Sequence, residues 1–338
     1  MAFELAKLAP ITKLSANVIR VLGQNPGQYT LQGTNTYLVG KKAPYILVDT
    51  GEGRPDYPGF LKEALSLYAP QSESPVVSDI IITHKHRDHH GGIPSITSML
   101  KSLWEESPFQ RTAEYPAPAL HKFPLPADQP PDEHLRSVMT SIPQGTFKEP
   151  PAEVSSSAEP CFHPLSVGQI LQGEGVALQV IHTPGHTSDS ICLYIPEEGA
   201  LFTADSVLGH GTAVFEDLST YITSLQSLLD FKYEGPGLKV LYPGHGPALE
   251  GDAARGTIQM YISHRLEREQ QLVDVLKTRD TNWTVGDILT AVYPEHVRMI
   301  AKRGVLLHLS KLERDGRVSR VREDGEEWKL LQRNNNVQ

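Results

Sequence analysis

The segment Thr83-His84-Lys85-His86-Arg87-Asp88-His89-His90-Gly91-Gly92 packs three imidazoles and one carboxylate, at His84, His86, Asp88 and His89, into six consecutive positions. Imidazole nitrogens and carboxylate oxygens are ligands for Zn²⁺, and a metal held this way with an open coordination position does hydrolytic chemistry. The apolar run Val76-Val77-Ser78-Asp79-Ile80-Ile81-Ile82 just before the segment predicts a β-strand that carries the cluster to a sheet edge. Fourteen His among 338 residues will give some chance neighbours, but the order His-x-His-x-Asp-His followed by Gly-Gly is too regular for a His-rich polar loop.

Three later strands each finish on a further candidate ligand. Ala177–Ile181 leads into His182-Thr183-Pro184-Gly185-His186, Ala200–Thr203 into Ala204-Asp205, and Leu238–Tyr242 into Pro243-Gly244-His245. Strand ends along one sheet edge are where a site drawn from distant parts of a chain must gather. His186, Asp205 and His245 therefore join the four residues of the first segment, and Lys85, Arg87 and His90 drop out. Asp49 closes the strand Tyr45–Val48 beside Gly51 and is expected to bond either nearby backbone or a metal-ligating His, as a structural or supporting carboxylate rather than a ligand.

Around these residues the chain divides unevenly. Residues 1–250 are expected to form the catalytic domain, with strands over 17–22, 36–39 and 45–48 and a helix over Tyr57–Tyr68 before the His-rich segment. Between Ser107 and Pro164 lie 12 of the 26 prolines, so 127–163 reads as a long irregular insertion, either a surface loop or a lid over the site. Residues 251–338 are expected to be a helical C-terminal domain. Its helices run over 256–277, from Trp283, and over 297–314, and Arg317–Val321 pairs with Trp328–Leu330 as a β-wing. Such a winged-helix-like module can bind nucleic acid, buttress the catalytic domain or form a homodimer contact.

Composition removes several classes of function. Net charge −9 and pI 5.9 oppose global electrostatic capture of nucleic acid. No apolar run approaches the roughly 20 residues of a membrane span. The two cysteines, Cys161 and Cys192, make no disulfide framework and suit a reducing, cytoplasmic compartment. Met1–Pro10 lacks the apolar core of a signal peptide, and a weak mitochondrial presequence stays open.

Thr83–Gly92, Thr183–Thr187, Thr203–Ser206 and Tyr242–Gly246, with Asp49-Thr50-Gly51 as a first motif, resemble the metallo-β-lactamase superfamily. More narrowly, Val18–Gly53, Gly209–Leu218 and Tyr261–Gln270 are similar to the branch holding β-lactamase-like protein 2 and the fungal thioesterases that partner polyketide synthases. The resemblance implies an α/β protein, an αββα sandwich with a dinuclear zinc site at one edge. It implies that one Zn²⁺ takes His84, His86 and His186, that a second takes Asp88, His89 and His245, and that Asp205 bridges them. Asp88 and Asp205 would then be the catalytic carboxylates. Two such metals, roughly 3.5–4 Å apart, lower the pKa of a bridging water and polarise a carbonyl or phosphoryl oxygen. Asp205 stands where many true β-lactamases place a cysteine ligand, and neither cysteine here falls in a motif, so antibiotic hydrolysis is not expected.

Two activities share this site. In one, metal-bound hydroxide hydrolyses an acyl or polyketide thioester on an acyl carrier protein, in secondary-metabolite biosynthesis; His210 either shapes the acyl pocket or is an ordinary loop histidine. In the other, the site is a single-strand-specific endoribonuclease, as the likeness to β-lactamase-like protein 2 implies, with RNA guided by the tail. Lys302, Arg303, Lys311, Arg314, Arg317, Arg320 and Arg322 lend the tail basic character, which Glu313, Asp315, Glu323, Asp324, Glu326 and Glu327 dilute. A purely structural zinc site, normally closed and four-coordinate, fits a bridging carboxylate poorly.

Overall fold

Seven strands form one sheet in sequence order: β1 (Ile11–Lys13), β2 (Val18–Leu22), β3 (Asn35–Val39), β4 (Tyr45–Val48), β5 (Val77–Ile82), β6 (Ala119–Lys122) and β7 (His163–Pro164). The first four are antiparallel and β4 through β7 are parallel. A second sheet holds β8 (Ile170–Gly173), β9 (Val176–His182), β10 (Ile191–Ile195), β11 (Ala200–Ala204), β12 (Val240–Pro243) and β13 (Leu249–Glu250), in the order β13-β12-β11-β10-β9-β8. This computed structural model describes residues 5–69, 76–107, 114–154, 158–322, 324 and 326–331. The expectations on Met1–Glu4, Ser155–Ser157 and Glu323 lie outside those residues.

The central strands are apolar on both sides because each side meets a different core. On β5, Ile81 joins Tyr37, Val39, Ile46 and Val48 against Val180, Leu193 and Phe202 of the second sheet. Its neighbours Ile80 and Ile82 turn the other way, toward α1 (Tyr57–Tyr68) and, through Ile93, Ile96 and Leu100, α3 (Ile93–Glu106). On β10 the same period of two sends Ile191, Leu193 and Ile195 between the sheets. Cys192 and Tyr194 face α5 (Leu218–Asp230) and α6 (Asp252–Leu276). The result is the expected helix–sheet–sheet–helix sandwich. A single-turn helix, α2 (Arg87–His90), connects the His-rich segment to α3. Cys161 and Cys192 are both free and buried.

Segment 127–163 departs from its reading as an irregular insertion. It contains a nine-residue helix, α4 (Glu133–Ser141), whose N-cap Asp132 accepts the Leu135 amide at 2.8 Å. Leu135 is fully buried in the same core as α1 and α3. Further on, the buried Glu159 meets Lys122 Nζ at 2.7 Å, and that ammonium also meets Asp189 at 2.8 Å. Proline content concealed a segment that packs, and so pays its ordering entropy with apolar burial.

The C-terminal part contains a three-stranded sheet, β14 (Trp283–Thr284), β15 (Val318–Arg320) and β16 (Glu327–Leu330), with α7 (Val285–Val292) and α8 (Glu295–Arg314). Trp283 and Thr284, expected to open a helix, are instead a short strand, and Thr284 then caps α7 through a reciprocal box with Asp287. The first half of α6 (Ala254, Ile258, Tyr261, Ile262) belongs to the sandwich core. Its second half (Leu272, Val273, Leu276) packs with Trp283, Ile288, Leu309 and Trp328. Among the described residues no helix is long and apolar enough to cross a membrane.

His308 of α8 is 3% exposed, and burial, followed by the charges of Arg265, Arg268 and Lys311 and by His264, pushes it down to about 3. The unfolded chain therefore takes up this proton first as pH falls. The stabilisation is complete above about pH 6.5 and is lost toward pH 3, at roughly 1.4 kcal/mol per pH unit. In denaturant titrations, His308→Leu is expected to lose about 2 kcal/mol less than the unaltered chain between pH 7.5 and 5. Equal losses would contradict a neutral buried His308.

Candidate metal centre

All seven candidate ligands reach one edge of the sandwich. His84, His86, Asp88 and His89 follow β5; His186 lies in the turn after β9; Asp205 directly follows β11; and His245 lies just beyond β12. Their donor atoms fall into two groups, His84–His86–His186–Asp205 and Asp88–His89–His245, each within 4.8 Å. In the first group His186 Nε2 stands 3.2 Å from His84 Nε2 and 2.9 Å from His86 Nδ1, which is itself 3.1 Å from His84 Nε2. In the second, Asp88 Oδ2 is 3.3 Å from His89 Nε2 and 3.1 Å from His245 Nε2. Asp205 lies between them: Oδ2 is 3.7 Å from His186 Nε2 and 3.3 Å from His245 Nε2, and Oδ1 is 3.5 Å from His89 Nε2.

Hydrogen bonds on the far side of three rings select which nitrogen faces inward. His89 Nδ1 donates to Asp49 Oδ2 at 2.7 Å, His186 Nδ1 to the Val214 carbonyl at 2.8 Å, and His84 Nδ1 lies 3.0 Å from Thr83 Oγ1. With the proton on Nδ1, each Nε2 presents a lone pair to its group. Asp49 also accepts from the Thr83 amide and hydroxyl, at 2.8 and 2.9 Å, so it orients His89 and stays out of the donor set as expected. Its φ of 61° and the 44° of Ala204, just before Asp205, place two non-glycine residues in the left-handed region beside the centre. Such strain costs of order 1–3 kcal/mol per residue and persists where the surroundings over-determine it.

Several positioning residues went unassigned in the sequence. Thr34 Oγ1 donates to Asp88 Oδ2 at 3.0 Å and is itself held by Asn25. Asn35 Nδ2 donates to the carbonyls of Pro243 and Gly246, both at 2.8 Å, so it brackets His245, and Tyr37 Oη donates to Pro243 at 2.6 Å. A Cβ on Gly244 would strike Asp205 Oδ1, which explains a glycine next to His245. The only sequence signal for Asn25, Thr34 and Asn35 was their place in the stretch resembling the family branch.

The electrostatics of the donor set suit bound dications. Burial, then the neighbouring imidazoles, lowers His84, and the same causes push His86 down to about 4. Burial opposes charge on His245 as well, but Asp205 and Asp88 outweigh it and raise His245 to about 9; Asp88, Asp49 and Asp205 likewise raise His89. Asp88 and Asp205 sit well below the usual carboxylate range despite burial, chiefly through His89 and His245. Among the described residues, buried His89 Nε2 and Asp205 Oδ1 have no hydrogen-bond partner. Imidazole lone pairs facing one another beside two carboxylates form a set that a pair of divalent cations satisfies.

A pocket of about 350 Å³ opens onto the centre, lined by His86, Asp88, His186, Asp205 and His245 at its floor. Its walls come from residues 28–31 and 208–214 except Gly209, with His210 among them. None of its described lining comes from 127–163, so the lid reading is not borne out.

Fold and centre together define a metal-dependent hydrolase built on an αββα sandwich. Residues 29–245 match the metallo-beta-lactamase superfamily, and residues 284–328 match the beta-lactamase associated winged helix domain. The chain is 36% identical over 335 residues to the beta-lactamase-like protein 2 homolog of Drosophila melanogaster, covering 97% of this chain and 98% of that one. It is 32% identical over 342 residues to the atrochrysone carboxyl ACP thioesterase AacuM of Aspergillus aculeatus, covering 97% and 91%. Among solved structures, a beta-lactamase domain protein from Burkholderia ambifaria shares the fold, with TM-score 0.66, 15% identity and 98% of each chain covered. The chain belongs to the metallo-β-lactamase superfamily.

Because Asp49 fixes the His89 ring, Asp49→Asn is expected to weaken metal binding by about 10–100-fold while the chain stays folded. Calorimetric Zn²⁺ titration of the metal-stripped protein checks this, and unaltered affinity at both sites would refute the role given to Asp49.

Proposed function

We propose that the chain is a zinc-dependent thioester hydrolase that releases an acyl or polyketide chain from an acyl carrier protein. The observation that carries this reading is the pocket wall. Leu31, Leu208, Ala213 and Val214 line it with Tyr29, and no Lys or Arg occurs among its described lining residues. An uncharged, partly apolar wall beside a hydrolytic centre suits a neutral acyl thioester, whereas RNA binding rests on cations that meet phosphates. The relative named as an ACP thioesterase, matched over nearly the whole chain, supports the same choice.

In this reading His84, His86 and His186 would hold one Zn²⁺, Asp88, His89 and His245 would hold the other, and Asp205 would serve as a shared ligand. When bound, the pair supplies Lewis acidity at the carbonyl oxygen and a water of lowered pKa. The chain's own part is to present three Nε2 lone pairs by keeping protons on Nδ1 of His84, His89 and His186. Thr34 fixes the Asp88 carboxylate, and Leu31, Leu208 and Val214 exclude water from around the acyl group. Asp88 and Asp205 are the catalytic carboxylates of this proposal.

The alternative, a single-strand-specific endoribonuclease, draws on the likeness to β-lactamase-like protein 2. The tail gives it little support. Lys302, Lys311, Arg314, Arg317, Arg320 and Arg322 are each within 2.6–3.1 Å of a carboxylate oxygen, which leaves Arg303 without an ion pair among the described residues. Cations already paired have less to offer a phosphate backbone.

Purified protein loaded with Zn²⁺ should hydrolyse an acyl-pantetheine thioester and leave labelled single-stranded RNA intact. Asp88→Ala should lower thioester kcat/KM by more than the roughly 10–100-fold that loss of an outer hydrogen-bond partner costs. RNA cleavage without thioester turnover would overturn the thioesterase reading and favour the alternative.

A further inference from the structure

The stretch Tyr261–Gln270 lies on α6, outside the donor set and outside the pocket lining. Its contacts nevertheless converge on the wall that holds a candidate ligand. The Val214 carbonyl accepts from His186 Nδ1 at 2.8 Å and thereby sets the rotation of that ring. On one side of Val214, Arg265 Nη2 donates to the Ala213 carbonyl at 2.7 Å; on the other, the same guanidinium covers the Phe215 ring at 4.8 Å. One turn earlier on α6, Tyr261 Oη donates to the Gly211 carbonyl at 3.0 Å and accepts the Leu208 amide at 3.1 Å. The wall between 208 and 215 is thus pinned at both ends and around its centre. The ring of Phe215 stacks in turn on Tyr221, whose hydroxyl donates to the carbonyl of Ser206, next to Asp205.

Two features separate this from ordinary packing. Arg265 has no carboxylate within ion-pair distance among the described residues, and its Nε is buried without a hydrogen-bond partner. A half-buried guanidinium with no counter-charge carries a desolvation cost, and the contacts that offset it, the Ala213 carbonyl and the Phe215 face, both belong to the pocket wall. Tyr261, Arg265 and Glu269 are also spaced four apart and share one face of α6. Glu269 is buried and pairs with Lys311 at 2.8 Å and Arg317 at 2.9 Å. One helix face therefore grips the pocket wall at one end and the C-terminal module at the other.

We propose that Tyr261 and Arg265 are positioning residues for the metal centre. They fix the Ala213–Phe215 backbone that orients His186, and they tie the C-terminal module to the site through α6. The proposal rests on the reading of His84, His86 and His186 as one metal-binding group. Arg265→Met keeps the length and apolar reach of the side chain but removes the donor to Ala213. Tyr261→Phe removes only the hydroxyl.

The test is titration of the metal-stripped full-length chain with CoCl₂, followed by the visible d–d absorption of the bound ion, alongside circular dichroism of the metal-free protein. The unaltered chain should take two equivalents. Arg265→Met should bind one of them about tenfold more weakly, with an altered spectrum, and leave the other unchanged. Arg265→Lys, which keeps a donor, should recover most of the loss. Tyr261→Phe should show a smaller loss of the same kind and guards against a misfolded Arg265→Met. Two equivalents bound with undiminished affinity by a folded Arg265→Met, or by Tyr261→Phe where Arg265→Met does not fold, would overturn the positioning role alone. An unaltered chain that takes no Co²⁺ would overturn the metal reading beneath it as well.

Discussion

His84, His86 and His186 crowd their ring nitrogens together at the edge of two sheets and disfavour charge on one another, and the rest of the structure is arranged to hold them in place. Imidazole nitrogens 2.9–3.2 Å apart would relax away from each other on a compliant scaffold. The sandwich supplies the stiffness. The ligands sit in turns or in α2 just beyond β5, β9, β11 and β12, strands whose side chains fill the cores, so moving a ligand means moving a core.

Short polar side chains then set orientation. Asp49 takes three donors, Asn35 brackets His245, Thr34 holds Asp88, and the Val214 carbonyl fixes His186. Positive φ at Asp49 and Ala204 shows where the backbone is bent against preference to bring these groups inward. The segment between β2 and β3 forms one part of the pocket wall, and the segment after β11, held by α6, forms the other. Substrate choice is therefore linked to elements that never touch the metals, and a superfamily with one centre can serve more than one substrate class by varying that wall.

Much of this was legible in the sequence, for a physical reason. His84, His86, Asp88 and His89 are local in the chain, and strands packed into the cores read as apolar runs that end where the ligands begin. The same locality explains what was missed. Thr34 and Asp88 are 54 positions apart, and Asn35 and Pro243 are 208 apart, so no spacing rule connects them. Tyr261 and Arg265 fall in a stretch that resembles the family branch, but their partners at 208–215 are some 50 positions away, so nothing in the sequence assigns them a role. Proline content masked α4, although Asp132 and Leu135 carried its cap and its buried anchor. The β-branched Thr284, capping α7, made Trp283–Thr284 resemble a helix start when the chain is still extended there.

The seven donors form two groups that could each hold a metal ion. The most direct measurement is X-ray diffraction from crystals of the Zn²⁺-loaded protein, recorded on both sides of the zinc absorption edge. Two anomalous peaks are expected roughly 3.5–4 Å apart, one among His84, His86 and His186 and one among Asp88, His89 and His245, with the Asp205 carboxylate between them. A single peak, or none at these residues, would contradict the two-metal reading.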